Sequence, residues 1–171
     1  MDLLRGTNIN VGFGTELPYL RFGSPWLATK FFKEKLDMLD LPGLTFREVS
    51  YRPKGSPYYN RIPKYNGKSC SGIEISISDK KLVKPLETAT SIITLISQLH
   101  PREFKWEGQG YIDKLFGSNQ LSLFVAQKKP PGYLSPWTNA AKANYWQKRL
   151  ENQLSFRMKW QSMLKNRRER T

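Results

Sequence analysis

Carboxylates that could act as general acid and base are the first residues to consider in this chain. Cleavage of a glycosidic bond normally needs two carboxyl groups about 5–10 Å apart. Of the fourteen acidic residues, the candidates are Glu16 in a Gly-rich opening stretch and Asp79 at the end of a predicted strand. Nothing in the sequence pairs them. We therefore predict a solvated Glu16, an Asp79 that bonds its own turn, and no catalytic residue.

One cysteine, Cys70, and one histidine, His100, restrict the other kinds of site. A single cysteine excludes an internal disulfide and a thiolate metal cluster, and a single histidine excludes His-rich zinc sites, so we predict no metal. A Cys–His nucleophile pair stays open. The alternative that we favour is a partly buried structural thiol and a histidine that serves as a cation or cap at the C-terminus of a helix.

The run Gly12-Phe13-Gly14 has the first two glycines of a dinucleotide-binding loop. The third glycine would fall at position 17, which is Leu17, and no clear strand precedes the run. The nucleotide motif therefore fails, and we predict no cofactor. A Gly-x-Gly loop still lets backbone amides approach a ligand or a partner closely.

A basic loop covers positions 52–68 and contains no acidic residue. Cations beside flat aromatic rings suit single-stranded nucleic acid, through phosphate pairing and base stacking, and the rings also suit sugar faces. The equal alternative is a solvated loop with tyrosines packed at its base. The residues concerned are Arg52, Lys54, Tyr58, Tyr59, Arg61, Lys64, Tyr65 and Lys68.

Half of the formal net charge of +14 lies at the C-terminus, where residues 142–171 carry nine basic and two acidic groups. Apolar residues fall four apart along this segment, from Trp146 to Met158. A basic amphipathic helix can lie on anionic lipid or RNA, but more often its apolar stripe packs on the parent domain. We expect a domain body at 1–130, followed at 131–171 by a linker and a helix that packs on it.

The remaining elements predict an α+β domain. Ile73, Ile75 and Ile77 alternate with polar residues, as in a strand with one buried face. Leu44 to Tyr51 also predicts a strand, with a phase slip that a bulge could absorb. Ser24-Pro25 predicts a helix N-cap, and Pro85 begins a second helix that Pro101 ends. We expect a small, mostly antiparallel or mixed sheet with three to four helices in one domain, and no membrane span.

Several short motifs follow one another along the chain. They are Gly6-Thr7-Asn8, Gly12-Phe13-Gly14-Thr15, Gly23-Ser24-Pro25-Trp26, Leu41-Pro42-Gly43-Leu44, Cys70-Ser71-Gly72-Ile73 and Asp113-Lys114-Leu115-Phe116-Gly117-Ser118. Each motif alone is weak, but the ordered set is fairly specific and covers nearly the whole chain. In this order the motifs resemble one known family, the C-terminal domain of the peptidoglycan exo-β-N-acetylmuramidases (NamZ).

The resemblance implies a two-domain glycoside hydrolase, in which a Rossmann-like domain holds the catalytic carboxylate and this domain closes a cleft over terminal N-acetylmuramic acid. It implies a chain that is inactive alone, with a separately encoded catalytic domain and a muropeptide as possible partners. The family acts in the cell envelope or outside the cell, yet the N-terminus lacks signal-peptide order, so an isolated chain is expected in the cytoplasm. By motif, the substrate- or partner-facing residues are Thr7, Asn8, Gly12, Gly14, Thr15, Cys70 and Gly72.

Three positions depart from the family motif in its opening loop. Phe13 stands in place of an arginine, Val11 in place of an acidic residue, and Asn10 in place of a serine. If that arginine binds the anionic lactyl group of muramic acid, Phe13 cannot form the same ion pair. We therefore expect an opening loop that lacks the charged residues for binding this group. The open alternatives are a basic module for nucleic acid or acidic surfaces, and a folded remnant of a longer gene.

Overall fold

The computed structural model describes residues 2–55 and 62–134, which fall in the compact unit Met1–Leu134. The predicted final helix lies outside the described residues, and the boundary at residue 130 stays a prediction. A 3₁₀-helix at Asp2–Gly6 begins the fold. Strands β1 (Arg21–Ser24), β2 (Leu44–Tyr51) and β3 (Cys70–Ile77) follow, with helices α1 (Thr29–Asp37), α2 (Pro85–Leu99), α3 (Tyr111–Phe116) and α4 (Gln120–Ala126).

The three strands form one antiparallel sheet in the order β1-β3-β2. Helix α1 contacts β2, β3 and α2, and α2 also contacts the 3₁₀-helix and α4. The apolar core lies between the sheet and these helices; in it, the rings of Phe22 and Phe32 meet edge to face at 6.0 Å. The predicted α+β domain with a small antiparallel sheet and four helices is confirmed.

Helix α1 begins later than the Ser24-Pro25 signal predicted, and that prediction was wrong. Ser24 is the last residue of β1, where it pairs with Ser71, so its backbone belongs to the sheet. The helix begins at Thr29, and Ala28 at the N-cap position provides no side-chain hydrogen bond. A serine before a proline therefore ends a strand here, because pairing with the central strand outweighs a local capping preference.

Strand β2 contains no bulge, although its apolar residues change phase. Its register with β3 is continuous from Leu44 opposite Ile77 to Tyr51 opposite Cys70. Leu44 and Phe46 share the face of the β3 isoleucines, whereas Tyr51 lies on the opposite face with Cys70. The opposite face is buried at that end, because the Tyr51 hydroxyl donates to Asn10 Oδ1 at 3.2 Å in the opening segment. The apolar residues of β2 therefore change from one face of the sheet to the other along the strand, and no inserted residue is needed to explain this change.

The polar face of β3 also differs from the prediction, since Glu74 is buried with only 8% of its surface exposed. Arg21 on β1 donates to Glu74 Oε2 at 2.7 Å, and Arg47 on β2 donates to Oε1 at 2.6 Å. These two guanidinium groups hold the pKa of the Glu74 carboxyl below its ordinary value, because they stabilise the charged form. The central strand thus carries an ion-paired carboxylate where simple alternation predicted a solvent-facing residue.

Helix α2 extends from Pro85 to Leu99, as the two prolines predicted, and it is buried on every side from Thr88 to Ser97. Its hydroxyl groups bond within the helix: Thr94 Oγ1 donates to Thr90 O at 2.8 Å, and Ser97 Oγ to Thr94 O at 2.7 Å. Such bonds satisfy polar groups that burial would otherwise leave unpaired. Among residues 2–55 and 62–134, no helix is long and apolar enough to cross a membrane.

Candidate functional site

The opening segment between the 3₁₀-helix and β1 forms a tight loop that packs against its own backbone. Gly12 and Gly14 have φ values of +74° and +86°, which glycine adopts at no steric cost. A Cβ at Gly12 would lie 2.9 Å from the carbonyl oxygen of Arg21, and one at Gly14 would lie 2.9 Å from that of Lys54. The close backbone approach expected of this Gly-x-Gly loop therefore occurs within the domain itself.

Asn10 holds this loop in shape from a buried position, with 1% of its surface exposed. Its Nδ2 donates to Phe13 O at 3.2 Å and to Lys64 O at 3.0 Å. Its Oδ1 accepts the backbone N–H of Gly12 at 2.8 Å and the hydroxyl of Tyr51 at 3.2 Å. A serine hydroxyl has a single donor hydrogen, so the four bonds depend on the amide that departs from the family motif.

Lys64 points toward the domain rather than toward solvent. Its ammonium group donates to the backbone oxygens of Arg5, at 3.1 Å, and of Thr7, and it forms an ion pair with Glu107 at 3.5 Å. Burial lowers the pKa of this ammonium, with Glu107 opposing the shift. Lys64 therefore ties the beginning of the chain to the second half of the basic loop.

A second connection joins Asn8 to Tyr65 and Trp26. The Tyr65 hydroxyl donates to Asn8 O at 2.6 Å and accepts Trp26 Nε1–H at 3.1 Å. The Asn8 side chain donates to Glu103 O at 2.8 Å and accepts the Lys105 amide at 2.9 Å. Asn8 is thus a structural link between the opening segment and the loop that follows α2.

An open cavity of about 440 Å³ lies beside the opening loop. Its walls come from the 3₁₀-helix, the opening loop, the residues at 62–64 and the start of α3. Apolar groups are contributed by Ile9, Val11, Phe13, Ile62 and Pro63. Polar and charged groups are contributed by Arg5, Asn10, Tyr19, Lys64, Glu107 and Tyr111.

The residues predicted by family motif do not line the cavity. Thr7 is fully buried, and its hydroxyl donates to Leu4 O at 2.7 Å; the Thr15 hydroxyl donates to Gly12 O at 2.7 Å. Gly72 pairs with Gly23 in the sheet, where a Cβ would lie 2.8 Å from the ring of Tyr51. Thr7, Asn8, Gly12, Gly14 and Thr15 thus belong to the opening segment, whereas Cys70 and Gly72 belong to β3. Whether any of them meets a ligand stays a prediction.

Cys70 and His100 occupy separate structural positions. Cys70 is fully buried at the start of β3, and burial raises the pKa of its thiol to about 11, so it is protonated at neutral pH. His100 ends α2, with its amide bonded to Ile96 O, and its ring lies 5.5 Å from that of Trp26. Burial lowers the pKa of this imidazole. Cys70 is thus fully buried rather than partly buried as predicted, and the predicted position of His100 at the C-terminus of a helix is confirmed.

The basic loop divides into parts with different environments. Lys64 lines the cavity, whereas Arg52 and Lys54 are exposed at the start of the loop. Tyr58, Tyr59 and Arg61 lie outside the described residues. The cavity also contains residues that the sequence did not single out, namely Arg5, Tyr19, Glu107 and Tyr111. Arg5 and Tyr111 are more than a hundred positions apart, and no local spacing connects them.

The isolated carboxylates behave as predicted. The side chain of Glu16 is 91% exposed, with Arg21 at 3.9 Å, and Asp79 Oδ1 accepts the Lys81 amide at 2.8 Å within its own turn. In the part of the chain that the structure describes, no group of three His, Cys, Asp or Glu residues could hold a metal ion.

Comparison with known proteins agrees with this fold. The family described as "Exo-beta-N-acetylmuramidase NamZ, C-terminal" matches residues 1–154. The peptidoglycan β-N-acetylmuramidase NamZ of Bacillus subtilis (strain 168) is 34% identical over 119 residues, which are 70% of this chain and 27% of that protein. A crystal structure of a DUF1343 family protein from Bacteroides fragilis superposes with a TM-score of 0.63 at 18% identity, covering 78% of this chain and 34% of that one.

The chain therefore spans about a quarter of the curated relative and a third of the similar structure. The likeness to the crystal structure concerns the fold, and the family match concerns nearly the whole chain. Together with the ordered motifs of the opening loop, they identify the chain as a member of the NamZ family of peptidoglycan muramidases, corresponding to its C-terminal domain.

Proposed function

We propose that this domain binds the N-acetylmuramic acid end of a peptidoglycan strand in the cavity beside the opening loop, and that it contributes no catalytic group of its own. The observation that carries the proposal is the mixture of rings, cations and a carboxylate in one cavity, enclosed by the loop that the family motif marks. The curated relative, which is named a peptidoglycan muramidase, supports the substrate class.

The size and chemistry of the cavity suit an amino sugar. Its volume of about 440 Å³ falls within the roughly 300–1,000 Å³ typical of small-molecule sites. The rings of Phe13, Tyr19 and Tyr111 offer flat apolar surface for one face of a pyranose. Glu107 and the tyrosine hydroxyls offer partners for sugar hydroxyl and acetamido groups, because these groups both donate and accept hydrogen bonds.

The departure at Phe13 does not leave the cavity without positive charge. Phe13 lines the wall as an apolar group, and the cations Arg5 and Lys64 line the same cavity from the 3₁₀-helix and the basic loop. The cavity therefore retains positive charge without the arginine expected from the family motif. Binding of an acidic sugar is compatible with the altered loop.

The proposed role is auxiliary because the described carboxylates do not form a catalytic pair. Glu107 is engaged by Lys64, Glu74 is held by two arginines, and Glu16 is solvated. In the proposed assembly a Rossmann-like domain supplies the catalytic carboxylate, and this domain forms one wall of the cleft. We expect the purified chain to show no turnover of a chromogenic N-acetylmuramide; turnover that survives further purification would contradict the auxiliary role.

Binding is tested by titrating the full chain with N-acetylmuramic acid and following the amide signals by NMR. We expect saturable shifts in the opening loop. Ile62, 80% exposed at the cavity, is changed to Glu to repel an acidic sugar, and Leu82→Glu, at a residue 54% exposed away from the cavity, is the matched control. The first variant should weaken binding severalfold and the second should not. Absence of binding by the wild-type chain at millimolar ligand would refute the proposal.

The nucleic-acid alternative stays a prediction. One of its cations, Lys64, donates within the domain and is not free to meet phosphate. RNA binding whose affinity falls steeply with added salt would support this alternative.

A further inference from the structure

We propose that Arg5 is the residue that binds the carboxylate of the ligand, whereas Lys64, the other cation of the cavity, holds the wall in place. The inference rests on the proposed function, since it names the side chain that binds the carboxylate of the proposed sugar ligand. It is separable from that function, because a sugar can bind in the cavity without its carboxylate being recognised.

Lys64 has no donor left for a ligand. An ammonium group has three N–H donors, and those of Lys64 are matched by two backbone oxygens and by the Glu107 carboxylate. The backbone oxygen of Thr7 belongs to a fully buried residue. Moving the ammonium toward a ligand would leave that oxygen without its donor, which is costly in a buried position.

Arg5 is engaged far less. Its guanidinium has five donors in a planar fork, and Nη1 donates to Asp2 Oδ1 at 3.0 Å. Within residues 2–55 and 62–134, the guanidinium forms this hydrogen bond and no other. The Arg5 side chain is 31% exposed and lines the cavity. The remaining edge of the fork can therefore meet a carboxylate with two parallel hydrogen bonds, the geometry for which arginine is suited.

Two phenol side chains line the same cavity as this guanidinium. Tyr19 comes from the opening loop and Tyr111 from the start of α3. Their hydroxyls can donate hydrogen bonds, and their rings offer apolar surface. A ligand whose carboxylate pairs with Arg5 would therefore have two neutral donors and two rings within the same cavity.

Asp2 competes with the ligand for Arg5. The two residues are three positions apart in the 3₁₀-helix, and the Asp2 side chain is 60% exposed. An exposed pair of this kind is held weakly, so a ligand carboxylate can share or replace it. This arrangement gives the inference a second, opposite consequence: removal of the Asp2 charge should strengthen binding of an acidic ligand.

The experiment compares N-acetylmuramic acid with its lactyl amide, which has the same shape and no negative charge. Dissociation constants are measured by NMR titration for the wild-type chain and for Arg5→Gln, Arg5→Lys and Asp2→Asn. Arg52→Gln removes the same charge from an exposed residue outside the cavity and is the matched control. Retained amide spectra show that each variant is folded.

We expect Arg5→Gln to weaken binding of the acid by about tenfold, the scale of one charge-assisted hydrogen-bond pair, and that of the amide by less than about twofold. Arg5→Lys should fall between, and Asp2→Asn should strengthen binding of the acid about two- to threefold. Equal loss for acid and amide, or equal effects of Arg5→Gln and Arg52→Gln, would overturn the assignment while leaving sugar binding intact. Failure of the wild-type chain to bind either compound would instead overturn the proposed function and this inference with it.

Discussion

Replacement of Lys64 by Met should destabilise the domain markedly, because the lysine acts as an internal connector. Met keeps an unbranched side chain of similar length, so packing is largely preserved while the ammonium is removed. The backbone oxygen of fully buried Thr7 then lacks a donor, which costs about 1–3 kcal/mol. The ion pair with Glu107, whose side chain is 45% exposed, contributes about 0–1 kcal/mol.

We therefore expect Lys64→Met to lower the free energy of unfolding by about 1–4 kcal/mol. At roughly 2–4 °C per kcal/mol for a chain of this size, the melting temperature falls by roughly 2–16 °C. Differential scanning calorimetry and urea unfolding of the full chain measure both quantities.

Two variants separate the contributions to this loss. Glu107→Gln removes the ion pair but keeps the bonds to the backbone, and should cost less than about 1 kcal/mol. Lys68→Met removes the same charge from an exposed residue of the same loop and should leave the melting temperature nearly unchanged. If Lys64→Met and Lys68→Met melted within about 2 °C of each other, the connector role would be refuted.

Three further predictions concern the sheet, the end of α2 and the opening loop. Glu74→Gln should cost about 3 kcal/mol in urea unfolding, because it leaves a buried guanidinium without its carboxylate, whereas Arg47→Gln, at a side chain 71% exposed, should cost under about 1 kcal/mol. Burial lowers the pKa of His100, so the unfolded chain binds a proton more readily than the folded chain. The free energy of unfolding should therefore fall as the pH drops below the ordinary imidazole pKa of 6.5. The difference in urea midpoint between pH 7.5 and 5.5 should shrink in His100→Gln, and an unchanged difference would contradict the assignment. Gly12→Ala combines positive φ with a clash against backbone and should cost more than about 2 kcal/mol, against about 1–2 kcal/mol for Gly67→Ala, which has similar φ and open space.

Much of the fold could be predicted because some segments carry strong local signals. The alternating isoleucines predicted strand β3 correctly, and the two prolines that flank α2 predicted that helix correctly. Ser24-Pro25 led to a wrong helix start, because the same dipeptide suits both a helix N-cap and the end of a strand. Pairing of Ser24 with β3 decides between the two. Burial of Glu74 was missed for a similar reason, since its two arginines come from neighbouring strands.

The cavity could not be predicted from sequence spacing. Arg5 lies in the first turn of the chain, whereas Glu107 and Tyr111 follow α2, so tertiary packing alone brings them together. Lys64 was predicted within a basic loop, and nothing in the composition reveals that its partners are backbone oxygens. The residues that the family motif marks do not line the cavity, and their contact with a ligand stays a prediction.

The burial of α2 on every side makes its amides reporters of the whole domain. Hydrogen exchange at Thr88–Ser97 requires an opening that exposes the core from all directions, so these amides should exchange only through global unfolding. A ligand bound in the proposed site, whose cavity no residue of α2 lines, stabilises the native state by mass action and should slow that exchange by the same factor at every position of the segment. Deuterium uptake of one internal helix can thus report binding in a cavity that it does not line.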